Sequence, residues 1–229
     1  MTLEHERPEN ASTSLHVTAL LLAGGRSRRL GQDKRFLPFE GEPLIVRAYK
    51  ALQAVADEVW VLLAQPEDAP QVQAALGDPA VRFAFDPKPG AGPLGALAGA
   101  LARVSGDYAL LFAVDYPLMT ASFLRRLRAY LEAQLQPKGP DVLVPLCQGA
   151  PQVTCAFYRR SLHKELQEAL ESGKRSLRRF VEGLPPARVQ AIPETIWSAW
   201  TGEDVFFNLN TAEDLERLQL LETRTANLR

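Results

Sequence analysis

Cysteine is nearly absent: Cys147 and Cys155 are the two in 229 residues, with no C-x-x-C or Cys/His cluster around them. That leaves neither a disulfide scaffold nor a structural zinc site to expect. Histidine is scarce as well, and His5, His16 and His163 all fall outside any motif. No charge of one sign dominates, because 26 Lys and Arg stand against 27 Asp and Glu for a net charge of −1. A nucleic-acid binder shows a basic excess, so this balance argues against that class. The longest apolar runs are strand-sized, well below the ~20 residues of a membrane-spanning helix. Residues Met1 to Ser14 are polar and lack the apolar core of a signal peptide. They read as a disordered tail on a cytoplasmic protein.

What the chain does contain is an ordinary globular composition, 46% hydrophobic and 23% charged, with short apolar runs alternating with helical patterns. Strands are expected at Val17–Leu22, Val59–Leu63, Val81–Phe85 and Tyr108–Val114. Helices are expected from Pro43 to about Ala56, from Leu94 to Val104 and from Ala121 to Leu135. Such alternation implies an α/β fold, a mostly parallel central sheet with helices on both faces. The second half is less regular. Strands at Asp141–Leu146 and Gln152–Tyr158 flank Gly149-Ala-Pro151 and suggest an antiparallel element. Helices at about Ser161–Ser172 and Ser176–Glu182 follow, then a strand at Ala187–Ile192 and a last helix from Thr211. No repeat, linker or composition shift divides the chain. Residues 15–221 are expected to form one domain, with 222–229 as a C-terminal tail.

The densest chemistry lies in Leu22-Ala-Gly-Gly-Arg-Ser-Arg-Arg-Leu-Gly-Gln-Asp-Lys34. It follows the first strand directly, at the carboxyl end where ligands bind in open α/β sheets. Its glycines permit positive φ and close approach to a ligand, and successive N–H groups of such a loop form an anion-binding concavity. Arg26, Arg28, Arg29 and Lys34 add positive charge within reach of a triphosphate. The run is neither a P-loop nor a dinucleotide fingerprint. The alternative is a glycine-rich surface turn with solvated arginines, but its position after a strand and its clustered charge favour the anion cradle.

Written as L-A-G-G-x-S-x-R-M-G-x-D-K, the run resembles the signature of the molybdenum cofactor guanylyltransferase family, within the nucleotide-diphospho-sugar transferase fold. The matches are Leu22, Ala23, Gly24, Gly25, Ser27, Arg29, Gly31, Asp33 and Lys34, and Leu30 replaces the usual Met. Related cytidylyltransferases tend to read L-A-A-G, so Gly24-Gly25 tilts the resemblance toward the guanylyl branch. It extends from Val17 to about Leu218 and implies a Rossmann-like nucleotidyltransferase fold. In it Leu22, Ala23, Gly24, Gly25 and Lys34 would bind the nucleotide.

Four further segments gain meaning beside that resemblance. Asp115 leaves an apolar strand in Ala113-Val-Asp-Tyr-Pro-Leu118. It either supports the turn at Pro117 or, as the family's D-x-P aspartate, holds Mg²⁺ and meets the nucleotide. Asp86 begins the Pro/Gly-rich Asp86-Pro-Lys-Pro-Gly-Ala-Gly-Pro-Leu-Gly95, a connector by composition and a nucleotide-contacting segment by resemblance. Phe207-Asn-Leu-Asn-Thr-Ala-Glu-Asp-Leu215 contains a capping-box-like Thr211 and Asp214. Its likeness to N-x-N-T-P-E-D-L makes Asn208 an acceptor contact and Asn210 a second metal ligand. Lys174-Arg-Ser-Leu-Arg-Arg179 is either a solvated helix face or, as the family's G-x-R-S-L segment, places Arg175 and Ser176 on the acceptor.

The resemblance therefore implies transfer of GMP from GTP to molybdenum-bearing molybdopterin, with pyrophosphate released. Arg29, Lys34 and Asp115 are the catalytic candidates and Mg²⁺ the cofactor. Transient contact with cofactor-synthesis proteins or molybdoenzymes would accompany it, without nucleic acid or membrane. The lack of a motif histidine agrees, since a phosphate-monoester nucleophile is already ionised at neutral pH. Two rivals stay open. One is a cytidylyl- or sugar-1-phosphate nucleotidylyltransferase, because Val61-Leu-Leu-Ala-Gln65 lacks an Asn that the family often has there. The other is a nucleotide or cofactor carrier without turnover, against which Lys34 and Asp115 argue.

Overall fold

The computed structural model describes residues 15–24, 31–85, 90–136, 138–201 and 204–226. The chain opens on strand β1 (Val17–Leu22), then the short hairpin β2 (Pro38–Phe39) and β3 (Glu42–Pro43), helix α1 (Leu44–Gln53) and strand β4 (Glu58–Leu63). Helix α2 (Ala69–Leu76), strand β5 (Arg82–Phe85), helix α3 (Gly92–Leu101), strand β6 (Tyr108–Ala113) and helix α4 (Ala121–Ala133) follow. The second half holds strands β7 (Val142–Cys147), β8 (Ala150–Pro151) and β9 (Cys155–Arg159), helices α5 (His163–Glu171) and α6 (Leu177–Glu182), strand β10 (Val189–Ile192), and helices α7 (Glu194–Trp197) and α8 (Ala212–Ala226).

The main sheet runs β5-β4-β1-β6-β9-β7-β10, with β8 hydrogen-bonded to β7. Strands β5, β4, β1 and β6 are mutually parallel, and β9 lies antiparallel between β6 and β7. The expected mostly parallel sheet with an antiparallel element is what forms. Strand β1 is buried along its length and apolar except for Thr18, because it is covered on both faces. Val17, Ala19 and Leu21 enter one core and Leu20 the other. Helices α1 and α4 supply the first core, and α3, α5 and α6 the second. Full burial of leucines such as Leu20 and Leu21 stabilises the fold by about 2 kcal/mol each.

Helix starts carry the signals that the residues provide. Thr120 accepts a hydrogen bond from the Phe123 amide, and Ser176 does the same for Arg179. The Thr211 hydroxyl accepts from the Asp214 amide at 3.2 Å while the Asp214 carboxylate accepts from the Thr211 amide at 2.8 Å, a reciprocal capping box. Three elements differ from expectation. Helix α1 stops at Gln53, short of Ala56. Helix α8 continues to Ala226, into the stretch read as a tail. Helix α2 gives no strong pattern because Val72 is its only buried residue.

After β1 the chain moves outward through β4 to β5, then crosses back by α3 to place β6 on the other side of β1. That reversal opens a crevice at the carboxyl ends of β1 and β6, where open α/β sheets bind ligands.

Candidate active site

Backbone hydrogen bonds continue past the strand ends and fix the floor of this crevice. The Ala23 amide donates to Leu62 O at 3.0 Å, Val114 to Leu22 O at 3.2 Å, and Ala113 to Thr154 O at 2.9 Å. Above them lies a cavity of about 300 Å³. Backbone and apolar side chains such as Leu22, Gly24, Leu62, Ala64, Gly92 and Pro93 make up most of its lining, with Lys34, Asp115 and Thr154 as its polar members. Gly92 has φ +63°, which admits glycine where an L side chain would be strained. At Gly24 the constraint is space: a Cβ there would sit 3.0 Å from the Ala64 backbone nitrogen.

Lys34 and Asp115 belong to a connected polar group. Lys34 Nζ lies 2.9 Å from Asp115 Oδ2 and 3.5 Å from Asn210 Oδ1. Asn210 Nδ2 donates to Asn208 Oδ1 at 2.8 Å, and the Leu209 amide donates to Asp115 O at 2.9 Å. The segment before α8 is thereby strapped to the end of β6. Lys34 and Asp115 each keep 17% of the side chain exposed, so the pair is partly desolvated yet open to a ligand. Asp115 Oδ1 is buried and has no hydrogen-bond partner among the described residues. An unmatched buried carboxylate oxygen is costly, and its position beside the cavity points to a ligand that completes it.

The sequence-derived candidates fall into three sets. Lys34, Asp115, Asn208 and Asn210 come together as just described, and Leu22 and Gly24 line the cavity. Ala23 is buried and its amide is committed to β4. Gly25, Arg29 and Asp86 lie outside the described residues. Arg175 is exposed and Ser176 caps α6; among the described residues neither joins the Lys34–Asp115 group. Trp197 packs edge-on against Phe123 and Phe206 and donates from Nε1 to Leu146 O, so it belongs to the core. Burial raises the Cys155 thiol far above its ordinary value, in keeping with an inert, packed cysteine.

Arg35 emerges only from the structure. Its guanidinium is buried between two carboxylates, with NH2 2.6 Å from Asp33 Oδ2 and NH1 3.0 Å from Asp68 Oδ2. NH1 also reaches Ala23 O at 3.4 Å, at the mouth of the glycine-rich loop. Burial alone would raise the Asp33 carboxyl, but the hydrogen bonds and charge of Arg35 outweigh it and hold that group below its ordinary value. The stability so gained is present above the unfolded carboxyl pKa and is lost as pH falls through the lowered one. Arg35→Met should destabilise the protein by about 2–3 kcal/mol, discounted from the ~3–5 kcal/mol for breaking a fully buried pair. The discount reflects Asp33, whose side chain keeps 35% of its surface in water. Chemical denaturation checks this, and an unchanged midpoint would mean that the carboxylates relax without their partner.

A match to the family described as the MobA-like NTP transferase domain spans residues 19–190. The chain belongs to this family. A protein of Synechococcus elongatus named as a probable molybdenum cofactor guanylyltransferase is 33% identical over 208 residues, covering 90% of this chain and all of that one. A relative of the same name from Methanothermobacter thermautotrophicus is 32% identical over 197 residues, covering 85% of this chain and 95% of its own. The crystal structure of molybdopterin-guanine dinucleotide biosynthesis protein A from Archaeoglobus fulgidus shares the fold. Its TM-score is 0.74 at 23% identity, with 90% of this chain and 99% of that one covered. Membership of the family makes the chain a nucleotidyltransferase. Among the described residues no helix is long and apolar enough to cross a membrane.

Proposed function

We propose that the enzyme transfers GMP from GTP to molybdenum-bearing molybdopterin, releasing pyrophosphate and making a molybdopterin guanine dinucleotide cofactor. The observation that carries this reading is the Lys34–Asp115 pair lining the cavity at the switch point of the sheet, with Asn210 bonded to Lys34. A cation and a half-satisfied carboxylate, together with a lining of backbone and apolar side chains, suit a nucleoside triphosphate. The relatives' names support the guanylyl and molybdopterin parts.

The residues present fit a divalent cation. Asp115 and Asn210 both offer oxygen, and one Asp115 oxygen is buried without a partner. Magnesium takes such ligands from one or two carboxylates together with substrate phosphates. When bound, it neutralises charge on the triphosphate and the departing pyrophosphate. Lys34 brings a further positive charge to the phosphates, and Arg29 has the same role by resemblance. Asp86 is assigned to the nucleotide, and Arg175, Ser176 and Asn208 to the acceptor. Ser176 keeps its own hydroxyl proton to donate, because its capping bond uses only the oxygen. The nucleophile needs no general base, so the protein's task is to align two polyanions and offset their charge. We place this activity in the cytoplasm, with transient contact to cofactor-synthesis proteins or molybdoenzymes.

One observation favours a second reading. Ala64 lines the cavity in the stretch after β4 where the family often has an asparagine that helps bind the nucleotide. A cytidylyl- or sugar-1-phosphate nucleotidylyltransferase would use the same polar group. Calorimetric titration with GTP, CTP, ATP and UTP, each with Mg²⁺, separates them. GTP is expected to bind tightest, and equal or tighter binding of CTP would replace the guanylyl assignment.

A further inference from the structure

Thr154 is a polar residue of the cavity that no sequence motif picks out. It stands just before β9, which runs antiparallel to β6 and so begins at the same carboxyl edge where β6 ends. Across that edge the cavity is bordered in order by Ala64 after β4, Gly24 after β1, Asp115 after β6, and Thr154 before β9. Its backbone is fixed by the Ala113 amide, which donates to Thr154 O at 2.9 Å.

The hydroxyl is fixed too. Tyr116 Oη lies 2.9 Å from Thr154 Oγ1 and 3.4 Å from Gln152 Oε1. Gln152 Nε2 donates to Ala150 O at 3.1 Å, which turns the amide oxygen toward Tyr116. The Tyr116 ring is held between Phe112 and Phe206, with centroids 5.8 and 6.0 Å away. A phenol is an O–H at neutral pH, so Tyr116 has one proton to give and an oxygen that can accept. Either oxygen can be the donor in the Tyr116–Thr154 bond. With Tyr116 donating to Thr154, the Thr154 proton is available to a phosphate in the cavity that Thr154 lines.

The geometry of in-line displacement bears on which substrate that is. On the transferase reading the nucleotide takes the β4–β1 part of the cavity, at Ala64 and Gly24, and an in-line nucleophile then comes from the other side of Asp115. That side is β9. A carboxylate repels a phosphate dianion, and a neutral donor beside it offers the anion a partner. We propose that the Thr154 hydroxyl, oriented by Tyr116, donates a hydrogen bond to a phosphate-monoester oxygen of the acceptor and so forms the acceptor's phosphate subsite. The assignment rests on the transferase reading but not on molybdopterin as the acceptor.

Inorganic phosphate serves as the probe, titrated by ³¹P NMR into the full chain with Mg²⁺ and a non-hydrolysable GTP analogue. Thr154→Val is expected to weaken phosphate binding roughly tenfold, the loss of one hydrogen bond to a charged group. The affinity for the GTP analogue should not move. Thr154→Ser should retain phosphate affinity, and Tyr116→Phe should fall between, as a positioning residue does. Equal phosphate affinity in wild type and Thr154→Val, no phosphate binding by the wild type, or parallel loss of nucleotide affinity overturns the subsite. If Thr154→Val folds poorly, the Tyr116→Phe and Thr154→Ser pair decides by the same split. Turnover of GTP with molybdopterin is measured alongside. Its absence in a wild type that binds phosphate through Thr154 rejects the proposed acceptor and keeps the subsite.

Discussion

Asp115→Asn is expected to fold and yet to lose turnover by about three orders of magnitude, roughly 4 kcal/mol of barrier. The substitution keeps the side-chain shape and removes the charge. Lys34 Nζ sits 2.9 Å from Oδ2, so the new amide will turn its oxygen to the ammonium. Its NH2 then occupies the position of Oδ1, which is buried and without a partner among the described residues. A cation-binding oxygen becomes a donor that can only repel a metal. The structural cost is small, because the Leu209 amide bonds to the Asp115 main-chain oxygen and not to the side chain. Both kcat and kcat/KM should fall, as expected of an interaction made mainly in the transition state. Asn210→Ala should show a smaller loss of the same kind. Near-wild-type kcat with unchanged Mg²⁺ dependence in Asp115→Asn would assign the residue to turn support at Pro117.

Gly24→Val is expected to reduce nucleotide affinity by about a hundredfold or more and to lower stability by about 1–3 kcal/mol, the usual cost of overpacking. The cause is visible at the seam between β1 and β4. A Cβ on Gly24 would meet Ala64 N at 3.0 Å, with Ala64 Cβ and Leu63 C both at 3.5 Å. The neighbour is backbone at the end of a central strand, and it cannot rotate away as a flexible side chain would. The Ala23 amide bond to Leu62 O, immediately before, limits how far the seam can open. Valine adds two methyl groups beside the cavity that Gly24 lines. Gly24→Ala should be milder in both respects. Nucleotide titration and thermal melting of the two variants test this, and a Gly24→Val protein that binds GTP normally would remove this strand end from the nucleotide cradle.

How much of this was legible beforehand varies along the chain for physical reasons. Strands β1, β4 and β6 read clearly because burial on both faces makes each a predominantly apolar run, bounded by Gly24, Ala64-Gln65 and Asp115. Strand β9 read as a strand, but nothing in its residues shows that it inserts between β6 and β7. That choice is tertiary. Lys34 and Asn210 are 176 positions apart, and only the family resemblance joined them before the fold did. Arg35 carries no motif of its own, and its burial depends on Asp68, 33 positions later. Thr154 was silent for a different reason. A lone threonine before a strand satisfies ordinary strand composition, and its value comes from the neighbouring Tyr116 hydroxyl.

The placement of β9 also bears on how the protein is made. Synthesis runs from β1 through β6 before Cys155 emerges, so the growing chain presents β6 as an open sheet edge while α4, β7 and β8 are being added. An uncovered apolar edge of this kind recruits other strands, which makes it the aggregation-prone stage of folding. Closure requires pairing across many intervening residues, a non-local step that slows folding. The last strap on Asp115 comes later still, from Leu209. A nascent chain released before residue 209 therefore carries Lys34 and Asp115 without the clasp that joins them to Asn210, and premature termination gives a protein with half a site.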